Sequence, residues 1–310
     1  MAFLVRLATR QPPARPTAAD AVRAALAEGL SRLLANEGGV RAGDMEAVHQ
    51  MRVAVRRLRS DLRTLKPLLD GAWADELSDA LRPLAGSLGA VRDLDVLIDR
   101  FERDGPDLVR DLAPLLADLR GLRDVARAAL VESLGSATHA ALLEHVVAAA
   151  REPRLSPEAS GEARDVLPPL VTGVWRRLAR KADPLARALG RDLSRPGDAD
   201  LHRARILAKR ARYASEAASG SIGRRRGRTA ARFARRLAEV QDLLGEHQDA
   251  TGMIRELRDA VAIHPDDVRM AFAAGRLLER QVAATARARA AFRGTWAQLR
   301  PPRLRRWLDR

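Results

Sequence analysis

The sequence contains no cysteine and few aromatic residues. Without cysteine, the 310-residue chain has no disulfides, no thiolate metal sites and no cysteine nucleophiles. Aromatic side chains make up 3% of the chain, while hydrophobic residues as a whole make up 46%, so the core must consist mainly of Leu, Val and Ala. A chain rich in Ala, Leu, Arg and Glu and poor in β-branched and aromatic residues favours helix over strand.

Long apolar runs are also missing. No stretch approaches the length of a membrane span. The N-terminal segment, residues 1–16, lacks the long apolar region of a secretory signal. We therefore expect a cytoplasmic protein that does not associate with membranes, with a flexible tail over residues 1–16.

Acidic residues are too few to balance the basic ones. The chain has 55 Lys and Arg against 40 Asp and Glu, a formal net charge of +15. Only three of the basic residues are lysines, a ratio that a GC-rich genome produces whatever the function. Such a genome does not explain the excess of positive charge. That excess predicts a polyanionic partner: nucleic acid, an acidic membrane surface or an inorganic polyanion.

Apolar residues recur at helical spacing along almost the whole chain. The segment EGGVRAG, residues 37–43, is expected to end the first helix, and EPRLSPEASG, residues 152–161, is the clearest linker. We predict one helical half over 17–152, a second over 157–300, and a Pro-rich tail over 301–310. The predicted helices include 17–36, 44–69, 73–103, 106–133, 162–181, 184–192, 199–219, 224–262 and 266–300.

One basic helical pattern occurs twice. The first copy reads VHQMRVAVRRLRSDLR from Val48 to Arg63, and the second reads LHRARILAKRARY from Leu201 to Tyr213. Both follow His-x-x-Arg-x-x-x-[Arg/Lys]-Arg-x-Arg. A second pair of similar segments follows, LRPLAGSLGAVRDLDVL and LAEVQDLLGEHQDATGM. This duplication predicts an all-α fold of two helical bundles related by a pseudo-twofold axis.

The first copy separates an apolar face from a basic face. Its apolar residues alternate spacings of three and four, which predicts a stripe facing the core: Val48, Met51, Val55, Leu58, Leu62 and Leu65. The basic face has the same spacing: His49, Arg52, Arg56, Arg59 and Arg63. These side chains form a ladder about 20 Å long. Because like charges four residues apart repel one another, we expect carboxylates or a phosphate ligand to offset them.

The second copy carries an equivalent ladder, made of His202, Arg205, Lys209 and Arg212. Its core-facing residues are mostly small, which permits close approach of another helix: Leu201, Ala204, Ala208 and Ala211. Under a twofold relation the two ladders would face one shared groove or pore. Arginine suits phosphate because its planar fork makes paired hydrogen bonds, and histidine adds a donor whose charge rises near phosphate.

These motifs resemble those of the CHAD family, the conserved histidine α-helical domain, over about residues 17–300. Besides the duplicated histidine motif, Leu88–Val96 and Val240–Glu246 resemble the segments that follow it in that family. The resemblance implies two four-helix bundles around a basic central pore or groove. It also implies non-enzymatic binding of inorganic polyphosphate, including at polyphosphate granules. Some members carry a triphosphatase domain marked by Glu-x-Glu-x-Lys, a motif absent here, so that activity is not expected.

The resemblance also implies which residues bind polyphosphate. In the first half they are His49, Arg52, Arg56, Arg57, Arg59, Arg63 and Arg92; in the second half they are His202, Arg205, Lys209, Arg210, Arg212 and Tyr213. Arg57 and Arg210 lie off the ladders, so pairing with carboxylates is an equal alternative for them. Asp93 and Asp249 are expected to orient arginines through ion pairs.

Three other functions have less support from the residues. A nucleic-acid binder would share the charge, but Tyr213 is the only tyrosine and no base-reading motif stands out. A phosphohydrolase would need carboxylates that hold a metal, and neither ladder has one at a shared position. A di-iron bundle would use Glu46-x-x-His49, but Ala199 replaces that glutamate in the second copy. We therefore expect no metal, cofactor or catalysis; the oligomeric state stays open.

Overall fold

Helices account for almost all of the secondary structure in the computed structural model, which describes residues 15–194 and 197–309. Within those ranges there is no strand, and the all-α prediction is confirmed. Helices α1 to α11 span, in chain order, Ala18–Arg41, Met45–Thr64, Gly71–Ala80, Arg82–Asp104, Ala113–Leu134, Ala137–Arg151, Ala163–Leu189, Asp198–Ser219, Arg224–Ile263, Val268–Ala297 and Pro302–Arg305. Residues 1–14 of the predicted N-terminal tail lie outside the described part of the chain.

Several predicted helix boundaries are wrong. The helix predicted over 106–133 begins at Ala113, after turns over 106–112, and the one predicted over 44–69 ends at Thr64. Helix α1 does not end at the EGGVRAG segment but continues to Arg41, and Gly43, with φ of 83°, makes the turn before α2. The helix predicted over 73–103 is two helices, α3 and α4, and α4 has a proline in its first turn. The helices predicted over 162–181 and 184–192 are one helix, α7, which contains Pro184.

The C-terminal segment packs against the core and does not form the predicted tail. Residues Pro302–Arg305 and Arg306–Leu308 are helical, and Trp307 is only 2% exposed. The Trp307 ring lies edge-on to Phe233 at 6.1 Å between ring centroids. An aromatic side chain buries a large apolar area, which is sufficient reason for this Pro-rich segment to fold back.

Each half of the chain forms a closed ring of helices. In the first half α2 contacts α1 and α4, α4 contacts α5, and α6 contacts α1; in the second half α7 to α10 each contact the next and α10 contacts α7. Helices α2 and α8 meet between the rings. Both apolar clusters draw residues from both halves, including Leu58 with Leu244 and Phe101 with Leu277. The halves therefore share their cores, and the twofold relation stays a prediction.

Helices α1 and α2 approach closely at Gly29. A Cβ built at this position would overlap the side chain of Leu58, which is 1% exposed. Gly38, on the same helix, has open space at the equivalent position, with nothing within 4 Å. Because a packed core cannot absorb an added methyl group without strain, we expect alanine to be tolerated at Gly38 but not at Gly29.

We predict that Gly29→Ala lowers the free energy of unfolding by about 1–3 kcal/mol, because Leu58 must leave its packed position. Gly38→Ala is the matched control, and we expect it to leave stability unchanged or raise it by up to about 1 kcal/mol through helix propensity. Urea unfolding followed by circular dichroism measures both. Equal effects of the two substitutions would contradict this account of the contact between α1 and α2.

Candidate anion-binding site

The predicted division of the motif helices into apolar and basic faces is confirmed. On α2 the six residues of the apolar stripe are all buried: Val48, Met51, Val55, Leu58, Leu62 and Leu65. On α8 the core-facing residues are at most 1% exposed: Leu201, Ala204, Ala208 and Ala211. Asp44 begins α2, since its side chain accepts a hydrogen bond from the Glu46 amide at 2.9 Å. The caps and stripes fix the direction in which each ladder points.

The two ladders come together around Lys209. Burial, followed by the charges of four arginines, lowers the pKa of the Lys209 ammonium to about 7. Arg56 and Arg52 belong to α2, while Arg205 and Arg210 belong to α8 itself. All five side chains are half-buried. We call this group the Lys209 cluster; it is made of Arg52, Arg56, Arg205, Lys209 and Arg210.

Tyr213 supports the arginines from beneath. Its hydroxyl oxygen accepts hydrogen bonds from Nε and Nη2 of Arg56, at 3.2 and 3.0 Å. The guanidinium carbons of Arg56, Arg57 and Arg212 lie 6.0, 5.8 and 5.7 Å from its ring centroid. The ring face attracts cations, so it offsets part of their mutual repulsion. Tyr213 is 3% exposed, which gives it a supporting position beneath the arginines.

A carboxylate network holds Arg57 away from the ladder. Glu216 accepts from Arg57 Nη1 at 2.9 Å and from Arg212 Nε at 2.8 Å. Arg57 also lies 3.9 Å from Asp61, and burial raises the pKa of the Asp61 carboxyl to about 7. Of the two alternatives for Arg57, pairing with carboxylates is therefore the one that the structure contains. Sequence reasoning missed Glu216, although a glutamate four residues after Arg212 is a recognisable signal.

Arg210 has different surroundings from Arg57, its counterpart in the duplicated motif. Its side chain has no ion pair or hydrogen bond to any residue that the structure describes. Burial lowers the pKa of its guanidinium, and the nearby charges of Arg63 and Arg177 lower it further. Arg210 therefore adds charge to the site that no carboxylate in the described ranges neutralises.

Equivalent arginines lie beside equivalent glycines, at distances that a Cβ would also allow. A Cβ at Gly89 would lie 3.9 Å from Arg52 Nη2, and one at Gly245 would lie 3.6 Å from Arg205 Nε. Arg52 also pairs with Asp93 at 2.9 Å, the kind of ion pair predicted for Asp93. The Nε of Arg205 is buried and has no hydrogen-bond partner among the described residues, which is unusual for a buried donor.

Asp249 lies near Arg205 without an ion pair in the described ranges. Burial raises the pKa of the Asp249 carboxyl, and the charge of Arg205 acts in the opposite direction. The ion pair predicted for Asp249 is thus replaced by a longer-range attraction.

The remaining ladder residues differ in exposure. His49 is half-buried, and its pKa is lowered by burial and by the charge of Arg92, so it is mainly neutral near pH 7. His202 is exposed, and its Nδ1 lies 2.7 Å from Gln248 Oε1. Arg59 donates from Nε to the Ser78 carbonyl at 3.1 Å.

The arrangement contains more positive charge than its neighbours balance. Among the described residues, several of the predicted site side chains have neither an ion pair nor a hydrogen bond: Arg63, Arg92, Arg205, Lys209 and Arg210. No group of three or more His, Asp or Glu residues that could hold a metal occurs in the described ranges. In those ranges, too, no helix is long and apolar enough to cross a membrane. The excess positive charge of the site therefore attracts anions.

We predict that Lys209 lowers the stability of the ligand-free protein. Its folded pKa of about 7 lies below the unfolded value of about 10.4, so the folded state binds fewer protons between these pH values. The free energy of unfolding should therefore rise with pH across that window. Lys209→Met should raise the melting temperature at pH 7 by about 2–4 °C or more. It should also reduce the rise of the free energy of unfolding with pH.

Thermal unfolding followed by circular dichroism between pH 6.5 and 10 tests this prediction. Arg203→Met is the control, because Arg203 is an exposed cation on the same helix and lies outside the Lys209 cluster. We expect the control to keep the pH dependence of the unmodified protein. If stability depended on pH in the same way in Lys209→Met as in the unmodified protein, the pKa of Lys209 would not be lowered by folding, and the prediction would be wrong.

The chain is similar to several known proteins. The family model for the CHAD domain matches residues 24–258. An uncharacterised protein of Mycobacterium tuberculosis strain CDC 1551 is 34% identical over 251 residues, which cover 77% of this chain and 44% of that protein. Its counterpart in strain H37Rv gives the same figures. The chain thus spans less than half the length of these curated relatives.

Two solved structures share the fold over nearly their whole length. PptA from Streptomyces chartreusis has a TM-score of 0.74 at 25% identity, covering 91% of this chain and 99% of that one. The crystal structure of the CHAD domain from the plant Ricinus communis has a TM-score of 0.66 at 28% identity, covering 93% and 94%.

Proposed function

Because the chain belongs to the CHAD family, we propose that it binds inorganic polyphosphate and does not transform it. The observation that carries the proposal is the Lys209 cluster, to which both ladders contribute cations that the described residues leave largely unneutralised. A linear chain of phosphates along α2 and α8 would replace repulsion between these cations with attraction. Polyphosphate granules in the cytoplasm are the setting that we propose for this binding.

Preorganised donors support a specific anion site. Tyr213 and Glu216 hold the guanidinium groups of Arg56 and Arg212 in place. Rigid arginines lose little conformational entropy on binding, and each can donate two parallel hydrogen bonds to a phosphate. In addition, phosphate beside Lys209 would raise the pKa of its ammonium from about 7, so binding above that pH takes up a proton.

The engagement of two nearby carboxylates, Asp93 and Glu216, supports a role without catalysis. Hydrolysis of a phosphoanhydride needs a base that positions water, or carboxylates that hold a metal. Asp93 is engaged by Arg52, and Glu216 is engaged by Arg57 and Arg212. These carboxylates orient arginines, which leaves neither group free to act as a base or a metal ligand.

We predict that the double variant Arg52→Glu/Arg205→Glu lowers the affinity for long-chain polyphosphate at least 100-fold, about 2.7 kcal/mol. The two substitutions put negative charge on both sides of Lys209, while α2 and α8 keep their buried apolar faces. Isothermal titration at moderate salt measures the affinity, and circular dichroism checks helicity. The control Arg258→Glu/Arg269→Glu makes the same charge change at exposed positions outside both ladders and should leave binding almost unchanged.

The same titration separates the two binding hypotheses. Long-chain polyphosphate should bind more tightly than duplex DNA at equal salt, and the affinity for polyphosphate should fall steeply as salt rises, through release of counterions. Equal or tighter binding of DNA would favour the nucleic-acid alternative. Full affinity for polyphosphate in Arg52→Glu/Arg205→Glu would move the site away from the Lys209 cluster.

A third measurement concerns catalysis. We expect no release of orthophosphate from polyphosphate incubated with the protein and Mg²⁺ or Mn²⁺, beyond that in a protein-free control. The expectation follows from the engagement of Asp93 and Glu216 by arginine. Metal-dependent release that is lost in Arg52→Glu/Arg205→Glu would instead establish a phosphohydrolase at this site.

A further inference from the structure

A second basic cavity lies between α7 and α10, and none of the predicted polyphosphate-binding residues lines it. Its volume is about 480 Å³, within the range of small-molecule sites. Arg187 lines it from α7, Arg191 lines it from the turn just after α7, and Arg293 lines it from α10. Arg300 follows the end of α10 and completes the basic lining. The cavity is therefore bordered by arginines on two neighbouring helices.

The carboxylate that lines this cavity is already engaged. Asp183 accepts from Trp296 Nε1 at 2.8 Å and from Arg300 Nη1 at 3.1 Å. The side chains of Arg187, Arg191 and Arg293 have no ion pair or hydrogen bond to any residue in the described ranges. Three guanidinium groups thus border one cavity without a counter-charge. A bound anion would offset the repulsion between them.

The floor of the cavity is fixed by packing, while the arginines around it are exposed. Trp296 is 3% exposed and stacks on Trp175 at 5.4 Å between ring centroids, so the floor is fixed. Gly190 lets Arg293 lie close to the backbone of α7, because a Cβ there would be 3.3 Å from Arg293 Cδ. Arg187 lies in the last turn of α7, and Arg191 follows two residues after the helix ends.

We propose that this cavity is a second anion-binding site, for a compact ligand with two or three linked phosphates. One phosphate can occupy one or two guanidinium forks, so three free arginines fit an oligophosphate better than a single phosphate. The cavity volume suits a small ligand rather than a polymer. The argument uses no residue of the Lys209 cluster and does not rest on the function proposed for it.

Titration of inorganic tripolyphosphate tests the proposal in the Arg52→Glu/Arg205→Glu background, where binding at the Lys209 cluster is removed. We expect tripolyphosphate to bind to this background protein. Adding Arg187→Glu and Arg293→Glu should weaken the binding at least tenfold. Adding Arg258→Glu and Arg269→Glu, an equal change of charge at exposed positions outside the cavity, should not.

Two results would overturn the second site: no tripolyphosphate binding to the background protein, or equal weakening by the two added pairs. If the charge-reversed proteins lose helicity, Arg187→Gln and Arg293→Gln in the otherwise unmodified protein replace them. The Gln pair should then reduce the number of bound tripolyphosphates while leaving the affinity for long-chain polyphosphate intact. An unchanged number of bound ligands would also reject the proposal. Failure of polyphosphate binding at the Lys209 cluster alone would leave these readouts unaffected.

Discussion

The close approach of α2 and α8 forces like charges together, and the rest of the site follows from that constraint. Tyr213 and Glu216 of α8 contact Arg56 and Arg57 of α2, which places the two basic faces side by side. The consequence is that Arg52 and Arg56 act on Lys209 strongly enough, together with burial, to bring its pKa to about 7. Packing of the two apolar faces must outweigh this repulsion, because buried apolar area supplies most of the stability of a helical domain.

Because these arginines repel one another, other residues must hold their side chains in place. The Tyr213 ring and the Glu216 carboxylate do this from the buried side, through contacts with Arg56, Arg57 and Arg212. Among the described residues, Arg56 has no hydrogen bond or ion pair other than those to the Tyr213 hydroxyl. A site that is costly to the empty protein and favourable with an anion bound is typical of functional positions, where local stability is given up for binding.

The periodic features of the site could be predicted from the sequence, but those that depend on distances between helices could not. Spacings of three and four identified the buried stripe from Val48 to Leu65 and the basic ladder beside it, because both follow from helix geometry. The pKa of Lys209 and the supporting position of Tyr213 depend on how α2 meets α8. The continuous helix α7 was missed because a proline usually interrupts a helix; here Pro184 is exposed, and the helix continues through the buried Leu185 and Leu189.

Equivalent positions in the two copies do not have equivalent surroundings, and this shapes how an anion would bind. On α2, Arg52 pairs with Asp93 and Arg57 pairs with Glu216, so an incoming phosphate must compete with carboxylates. On α8, Arg205 and Lys209 have no such pairs among the described residues. Competition lowers the gain in free energy at Arg52, whereas relief of repulsion raises it at Lys209. In the function proposed above, Arg205 and Lys209 therefore contribute more attraction than Arg52, which a phosphate must first take from Asp93.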